Sequence, residues 1–261
     1  MRTVFNGKAI EYEIPRIMGI LNVTPDSFSD GGLHKDPIKH AFRMIDDGAD
    51  IIDIGGESTR PGFSQVSAEQ EIVRIVPVIK ELSGSSSIPI SADTMKPKVA
   101  RAAIDAGADI INMVNFTDGM LKVVANSNAA IVIMHTPADI SEVHNSRMEG
   151  DATLQIKDFL ISKTEAAIEA GIEKERIIVD PGIGFGKTET QNKEILMGSG
   201  TFGNGFPVLI GASRKRFLSY AYPNTPKEDA SVLAALDAIR NGASIVRAHD
   251  VKRTKEAFKG F

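Results

Sequence analysis

The chain has 261 residues, 42% of them apolar and 25% charged, with 30 basic against 34 acidic side chains and a net charge of −4. That is the make-up of one large globular domain, and its slight acidity argues against a dedicated nucleic-acid binder, which needs a basic face to neutralise phosphates. Cysteine is absent, which excludes disulfide scaffolds, thiolate zinc sites and cysteine nucleophiles.

The first residues carry charges throughout and hold no apolar stretch of signal-peptide length. No later run approaches the roughly 18 apolar residues of a membrane span, so a cytoplasmic enzyme is the expectation. Residues 3–13, with Asn6-Gly7 between alternating apolar positions, predict a β-hairpin. Eight short runs rich in Ile and Val then follow: Ile17 to Val23, Ile51 to Gly55, Ile88 to Ala92, Ile110 to Val114, Ala130 to Met134, Ile177 to Val179, Val208 to Gly211 and Ser244 to Ala248. Continuous apolar runs closed by Gly, Asp, Asn or Pro are how buried parallel strands read. Between them, Pro37 to Asp47, Ala68 to Leu82, Lys96 to Ala106, Thr153 to Ala170 and Lys227 to Asn241 have helical period and charged outer faces.

A weak internal repeat supports the alternation. Ile45-Asp-Asp-Gly48-Ala49-Asp50-Ile51-Ile52 returns as Ile104-Asp-Ala-Gly107-Ala108-Asp109-Ile110-Ile111 and as Ile239-Arg-Asn-Gly242-Ala243-Ser244-Ile245-Val246, a helix ended by a left-handed glycine and followed at once by a strand. Eight strand and helix units in one undivided domain, residues 1–261, predict an α/β fold, a (β/α)8 TIM barrel whose lower end the hairpin caps. A doubly wound open sheet is the alternative, but the first turn, Asn22-Val-Thr-Pro-Asp26, lacks its Gly-rich signature.

In such a barrel the chemistry sits at the carboxyl ends of the strands. All eight ends carry polar groups: Asn22 and the 24–32 loop, Asp53 and the 55–62 loop, Asp93 and Thr94, Asn112 and Asn115, Met134 and His135, Asp180 to Thr188, Ser213 to Arg216, and Arg247, His249 and Asp250. Asp250 and Thr94 read as helix N-caps. Asp93 and Asp180 end apolar runs, where a carboxylate needs a donor. Lys187-Thr188 resembles a phosphate loop, but G-x-x-x-x-G-K-[ST] requires Gly at 181, where Pro stands. Arg247 and His249 share one face of the last strand, and barrel closure brings them beside Asn22. That trio suits a diphosphate, with the Asn22 amide oxygen and carboxylates of the 24–32 loop able to hold a bridging Mg²⁺. Asp93, Asn112 and Asp180, with Lys215, suit a flat nitrogen-rich heterocycle.

Five blocks together resemble the dihydropteroate synthases: Gly19-Ile-Leu-Asn22 through Phe28-Ser-Asp30-Gly-Gly32, Asp53 through Thr59-Arg60-Pro61-Gly62, Asp180-Pro-Gly-Ile-Gly-Phe185-Gly-Lys187-Thr188, Gly211-Ala-Ser213-Arg214-Lys215, and Arg247-Ala-His249-Asp250-Val251. The resemblance implies transfer of the pterin methylene of 6-hydroxymethyl-7,8-dihydropterin diphosphate to the amine of p-aminobenzoate, with release of diphosphate, in folate synthesis. It further implies Mg²⁺ as cofactor, a homodimer, and sulfonamides as competitors. Carried over residue by residue, it assigns Asp93, Asn112, Met134, Asp180 and Lys215 to the pterin. Phe28, Thr59, Arg60, Pro61, Phe185 and Ser213 fall to p-aminobenzoate, Asn22, Arg247 and His249 to diphosphate, Asn22 to the metal, and Asp30, Lys215, Arg247 and His249 to the reacting centre. The loops at 24–32 and 57–66 have little apolar content and are expected to order only around a metal diphosphate, so that p-aminobenzoate binds tightly only afterwards.

Three departures stand out. Met113 follows Asn112 where the family has Asp, which would remove an acid near the pterin; Thr136-Pro137 follows His135 where the family has Met; and Lys227-Glu-Asp-Ala230-Ser231 replaces Arg-x-x-Gly-Ser/Thr. A corrinoid methyltransferase on the same barrel would leave the diphosphate trio unexplained. A pterin binder without turnover would not need the aminobenzoate loops. A Schiff-base aldolase through Lys215 would use a lysine that anion or pterin contact explains as well.

Overall fold

The computed structural model describes residues 1–24, 36–57, 66–137 and 147–260. The chain opens with an antiparallel hairpin, β1 (Arg2–Phe5) and β2 (Lys8–Glu11), in which Phe5 pairs with Lys8. Asn6 and Gly7 both take positive φ, +44° and +75°, as a two-residue turn between right-twisted strands requires.

Strand and helix then alternate. β3 (Arg16–Asn22), α1 (Pro37–Asp46), β4 (Ile51–Gly55), α2 (Ala68–Ser85), β5 (Ile90–Asp93), α3 (Pro97–Asp105), β6 (Ile110–Met113) and α4 (Asp118–Ala125) make the first half. The second holds β7 (Ala130–Met134), α5 (Ala152–Glu169), β8 (Ile177–Asp180), α6 (Glu189–Met197), β9 (Leu209–Ile210), α7 (Leu218–Ala221), α8 (Lys227–Arg240), β10 (Ile245–Ala248) and α9 (Val251–Ala257). The eight strands after the hairpin are parallel, in the order β8-β7-β6-β5-β4-β3-β10-β9. One bridge, Val179 to Val208, joins the two ends and closes the barrel, with Val179 N–H donating to Pro207 O at 2.9 Å. The expected TIM barrel and hairpin are both present, with element ends shifted by up to three residues.

The repeat has a second function beyond its glycine cap. Gly48, Gly107 and Gly242 take φ of +98°, +109° and +91°. Two residues later, Asp50 accepts from Ile17 N–H at 2.9 Å, Asp109 from Ile90 N–H at 3.2 Å and Ser244 from Val208 N–H at 3.3 Å. In each copy the polar side chain that follows the cap therefore satisfies a backbone donor near the start of the strand before it, tying adjacent strands at the bottom of the barrel.

Two apolar layers result from the period of two along each strand. Outside the strands, Leu21, Ile52, Ile54, Ile111, Met113, Ile133 and Val246 pack against the helices. Inside, Met18, Ile51, Ile110, Val132, Ile178, Leu209 and Ile245 fill the lower barrel and meet Phe5 and Ile10 of the hairpin. Asn6 holds the plug in place, with its N–H on Asn128 O at 3.0 Å and its amide on Asp109 Oδ1 at 2.9 Å.

Met113 belongs to the outer layer, because Asn112 beside it faces inward. Its replacement of the family's Asp thus changes a contact between strand and helix and leaves the barrel mouth untouched. Asp250 does cap α9, accepting Arg253 N–H at 3.1 Å. Thr94 does not cap α3: the N-cap is Lys96, without a side-chain bond, and Thr94 Oγ1 accepts Lys96 N–H at 3.2 Å in a short local turn.

Candidate active site

Two residues above the inner apolar layer, the same strands turn polar. Arg247 of β10 sends its guanidinium across the barrel, donating from Nε to Asp53 Oδ2 at 2.5 Å and from Nη2 to Asp93 Oδ2 at 2.7 Å. Asp53 of β4 is fully buried and also accepts Asn112 Nδ2 at 3.2 Å. Asn22 and Asp93 flank Gly55, where a Cβ would meet Asn22 Oδ1 and Asp93 Oδ2, each at 3.9 Å. Burial opposes the Arg247 charge, but Asp53 and Asp93 outweigh it and hold the group above its ordinary range. For Asp93 burial dominates and raises the carboxyl despite Arg247, with Asp53 and Glu71 adding to the rise and Lys215 opposing it.

The opposite wall is the arm that follows β8. Asp180 is buried, and its Oδ1 accepts Gly182 N–H at 2.7 Å. Burial raises this carboxyl too, against Lys215, the Gly182 N–H and Lys187. Lys215 donates to Ile183 O and lies 4.5 Å from the Phe185 ring centroid. Gly184, at φ +85°, makes that approach possible, since a Cβ would lie 2.7 Å from Lys215 Cδ. Burial lowers the Lys215 ammonium to about 8, with Asp180 pulling it up and Arg247 pushing it down. Phe185 packs with Met95, Val114 and Met134 into an apolar rim beside these charges.

Ser213 and His249 form a third group between β9 and β10. Ser213 Oγ lies 3.0 Å from His249 Nδ1 and accepts His249 N–H at 3.3 Å. Arg214 stands between Ser213 and Lys215 at φ +62°, a strained value for a residue with a Cβ. Ser231 holds its N–H at 3.0 Å and Glu228 its guanidinium at 3.0 Å. The departure at Ala230-Ser231 therefore keeps the hydroxyl that anchors the loop.

The described part of the mouth is thus an ionic floor, an arm that carries an aromatic ring, and a Ser-His pair. Residues 18–249 match the family model described as pterin binding enzyme. The dihydropteroate synthase of Streptococcus pyogenes serotype M1 is 46% identical over 92% of this chain and 92% of its own length. The chain belongs to the dihydropteroate synthase family. Two solved structures of that family superpose closely. That of the Xanthomonas albilineans enzyme with 4-aminobenzoic acid has a TM-score of 0.91 at 41% identity, covering 99% of this chain and 96% of the other. That of the Burkholderia cenocepacia enzyme with 7,8-dihydropteroate has a TM-score of 0.90 at 36% identity, covering 99% and 94%. Dihydropteroate synthases are transferases, and that activity is the activity of this chain.

Among the residues that the sequence singles out, the structure brings Asp93, Asn112, Asp180 and Lys215 together at the barrel mouth, with Met134 and Phe185 in the apolar rim. Arg247 joins this group, held by Asp53 and Asp93. Phe28, Asp30, Thr59, Arg60 and Pro61 lie outside the described residues. Glu57, the last residue before the 58–65 segment, accepts Val66 N–H at 2.8 Å and Lys96 Nζ at 2.6 Å, and Lys96 also reaches the buried Glu71 at 2.6 Å. Asp53 is a strand-end residue to which the sequence reading gave no role. Its signal was a carboxylate inside Ile51-Ile52-Asp53-Ile54, where burial demands a cation.

The donor set decides what kind of metal site fits. Among the described residues no three His, Asp or Glu side chains stand together to hold an ion. The half-buried Asn22 offers one amide oxygen at the strand end beside Asp93. One such oxygen among the described residues fits Mg²⁺, which takes one or two protein oxygens and keeps its waters.

Proposed function

We propose that the barrel mouth joins 6-hydroxymethyl-7,8-dihydropterin diphosphate to p-aminobenzoate. The observation that carries this reading is the bridge from buried Asp53 through half-buried Arg247 to half-buried Asp93, with Asp180 and Lys215 facing it, in a chain of this family. A dihydropterin presents ring N–H and amino donors along one edge and a carbonyl oxygen beside them. Asp93, Asp180 and Asn112 match that edge, and the Lys215 ammonium matches the carbonyl. Ser213 and His249, with Asn22, stand at the diphosphate end. Arg247 serves both ends, because two of the five guanidinium N–H groups are spent on Asp53 and Asp93 and Nη1 remains for a phosphate oxygen.

In the reaction the bond between the pterin methylene and the diphosphate oxygen breaks, the amine nitrogen adds to that carbon, and the amine proton passes to solvent. The fixed cations Arg247 and Lys215 need not reorganise as charge moves onto the diphosphate. Asn22 would hold Mg²⁺, which when bound neutralises charge on the departing diphosphate. The apolar rim of Phe185, Met134 and Val114 keeps water from the cationic carbon. Phe28, Asp30, Thr59, Arg60 and Pro61 complete the aminobenzoate slot in this reading, and sulfonamides compete there. The same reading makes the enzyme a cytoplasmic homodimer; sedimentation tests the dimer.

Diphosphate release from pterin diphosphate, measured with and without p-aminobenzoate, tests the reaction. Release together with formation of dihydropteroate is the expected result. No release, or methyl transfer from methyltetrahydrofolate, would overturn it.

A further inference from the structure

Lys187 and His135 are buried or half-buried groups with no role in the chemistry above, yet they sit directly behind the arm that carries Asp180 and Phe185. Lys187 Nζ donates to Gly182 O at 2.7 Å and to Phe185 O at 3.0 Å, and lies 3.1 Å from His135 Nδ1. An ammonium has three N–H groups and no acceptor, so three convergent acceptors use it completely. While Lys187 is charged the contact also sets the imidazole: Nδ1 accepts, and the ring proton is on Nε2. His135 is itself immobilised, with its N–H on Asp180 O at 2.9 Å and its ring edge-on to Phe159 of α5 at 4.9 Å.

The consequence runs along the arm in both directions. The Gly182 peptide whose carbonyl faces Lys187 belongs to the residue whose N–H orients the Asp180 carboxylate at 2.7 Å. No other residue fits there, since φ is +70° and a Cβ would lie 2.0 Å from His135 O. Gly182 O also accepts Phe185 N–H at 3.2 Å, so both backbone polar groups of Phe185 end on Lys187 or on the carbonyl that Lys187 grips. Beyond it, Asn192 of α6 ties the base of the arm, accepting Gly184 N–H at 2.6 Å and donating to Lys187 O at 3.2 Å.

We propose that Lys187 is a positioning residue whose ammonium, braced by His135, folds the 180–187 arm so that Asp180 meets the pterin and Phe185 the aminobenzoate in one geometry. The Gly-Lys-Thr string, which fails as a phosphate loop, thus has a different use: the lysine ammonium stands between two carbonyls and an imidazole nitrogen. The proposal rests on the reaction given above. One internal cation then sets the affinity for two different substrates.

Steady-state kinetics of Lys187→Met, Lys187→Gln and His135→Phe, beside wild type, test it. Lys187→Met is expected to raise KM for both pterin diphosphate and p-aminobenzoate by about tenfold, as a displaced contact group does. Lys187→Gln, which keeps two donors, should recover part of both. His135→Phe, which removes one acceptor, should shift both in the same direction by less. A stability role alone would lower the melting temperature while the folded fraction kept wild-type KM values, and that result overturns the proposal. So does a rise confined to one substrate. If Lys187→Met fails to fold, wild-type KM values in folded Lys187→Gln or His135→Phe overturn it equally. Wild-type protein that releases no diphosphate overturns the reaction instead, so the two failures are told apart in one assay.

Discussion

Ile51, Ile110, Ile178 and Ile245 face one another above the hairpin plug. Two residues further along the same four strands stand Asp53, Asn112, Asp180 and Arg247. The lower layer gains free energy by burying methyl groups and asks for no partner. The upper layer takes charges out of water and is tolerable only because each meets a counter-charge or a donor. Strand period makes the two layers neighbours, so one set of elements supplies stability at the bottom and chemistry at the top. Changes in the two layers should therefore differ in what they do to turnover.

The largest effect should come from breaking the ionic floor. Arg247→Met leaves the buried Asp53 and the half-buried Asp93 without their cation, and removal of one partner from a buried pair costs about 3–5 kcal/mol. Chemical denaturation should show that loss together with collapse of turnover. A variant that keeps wild-type stability would mean that the carboxylates find protons or water without the arginine. Next comes the lower layer. Ile51→Ala should cost about 2–5 kcal/mol as a cavity opens, yet leave kcat and both KM values unchanged at temperatures where the protein stays folded. A changed KM would show that the layers are not independent.

Lys215→Ala and Asp180→Asn should each lower turnover by more than about tenfold with only a small shift in melting temperature, because both side chains stand at the mouth. Lys215→Arg should fail as well, since a planar fork does not replace a point donor. Equal activity in Asp180→Asn would remove the pterin pocket from this account. The smallest effect is a pH limb. Lys215, lowered to about 8 by burial, is charged below that pH and neutral above it. kcat/KM for pterin diphosphate should fall as pH rises through about 8, and the limb should vanish in Lys215→Ala. A profile flat to pH 10 would place the ammonium in better contact with its carboxylates than its burial indicates.

How much of this was legible follows from the range of each interaction. The eight barrel strands could be read because each is a local apolar run, and the glycine caps because Gly48, Gly107 and Gly242 sit in a repeated string. The bonds of Asp50, Asp109 and Ser244 back to the preceding strand are present in the same string, but they join residues 33, 19 and 36 positions apart and needed the barrel to show them. Arg247 illustrates the limit. The sequence puts it on the right face of the right strand, while its partners, 194 and 154 residues earlier, cannot be chosen from among many carboxylates without closing the barrel. Met113 shows how the same period of two can correct a motif. A residue next to an inward Asn must face outward, so its difference from the family bears on helix packing.

The closing bridge between Val179 and Val208 has a consequence of its own. Every other neighbouring pair of barrel strands shares at least two register partners, whereas these two residues make a single bridge. In an amide hydrogen-exchange experiment the Val179 N–H, bonded to Pro207 O, should be the barrel-strand amide that loses protection first. Asp180 follows immediately on one side of that seam, and Lys215 and Ser213 lie just beyond β9 on the other. A ligand that spans Asp180 and Lys215 would act as a stitch across it, slowing exchange at Val179 more than at the ladders on the far side of the barrel.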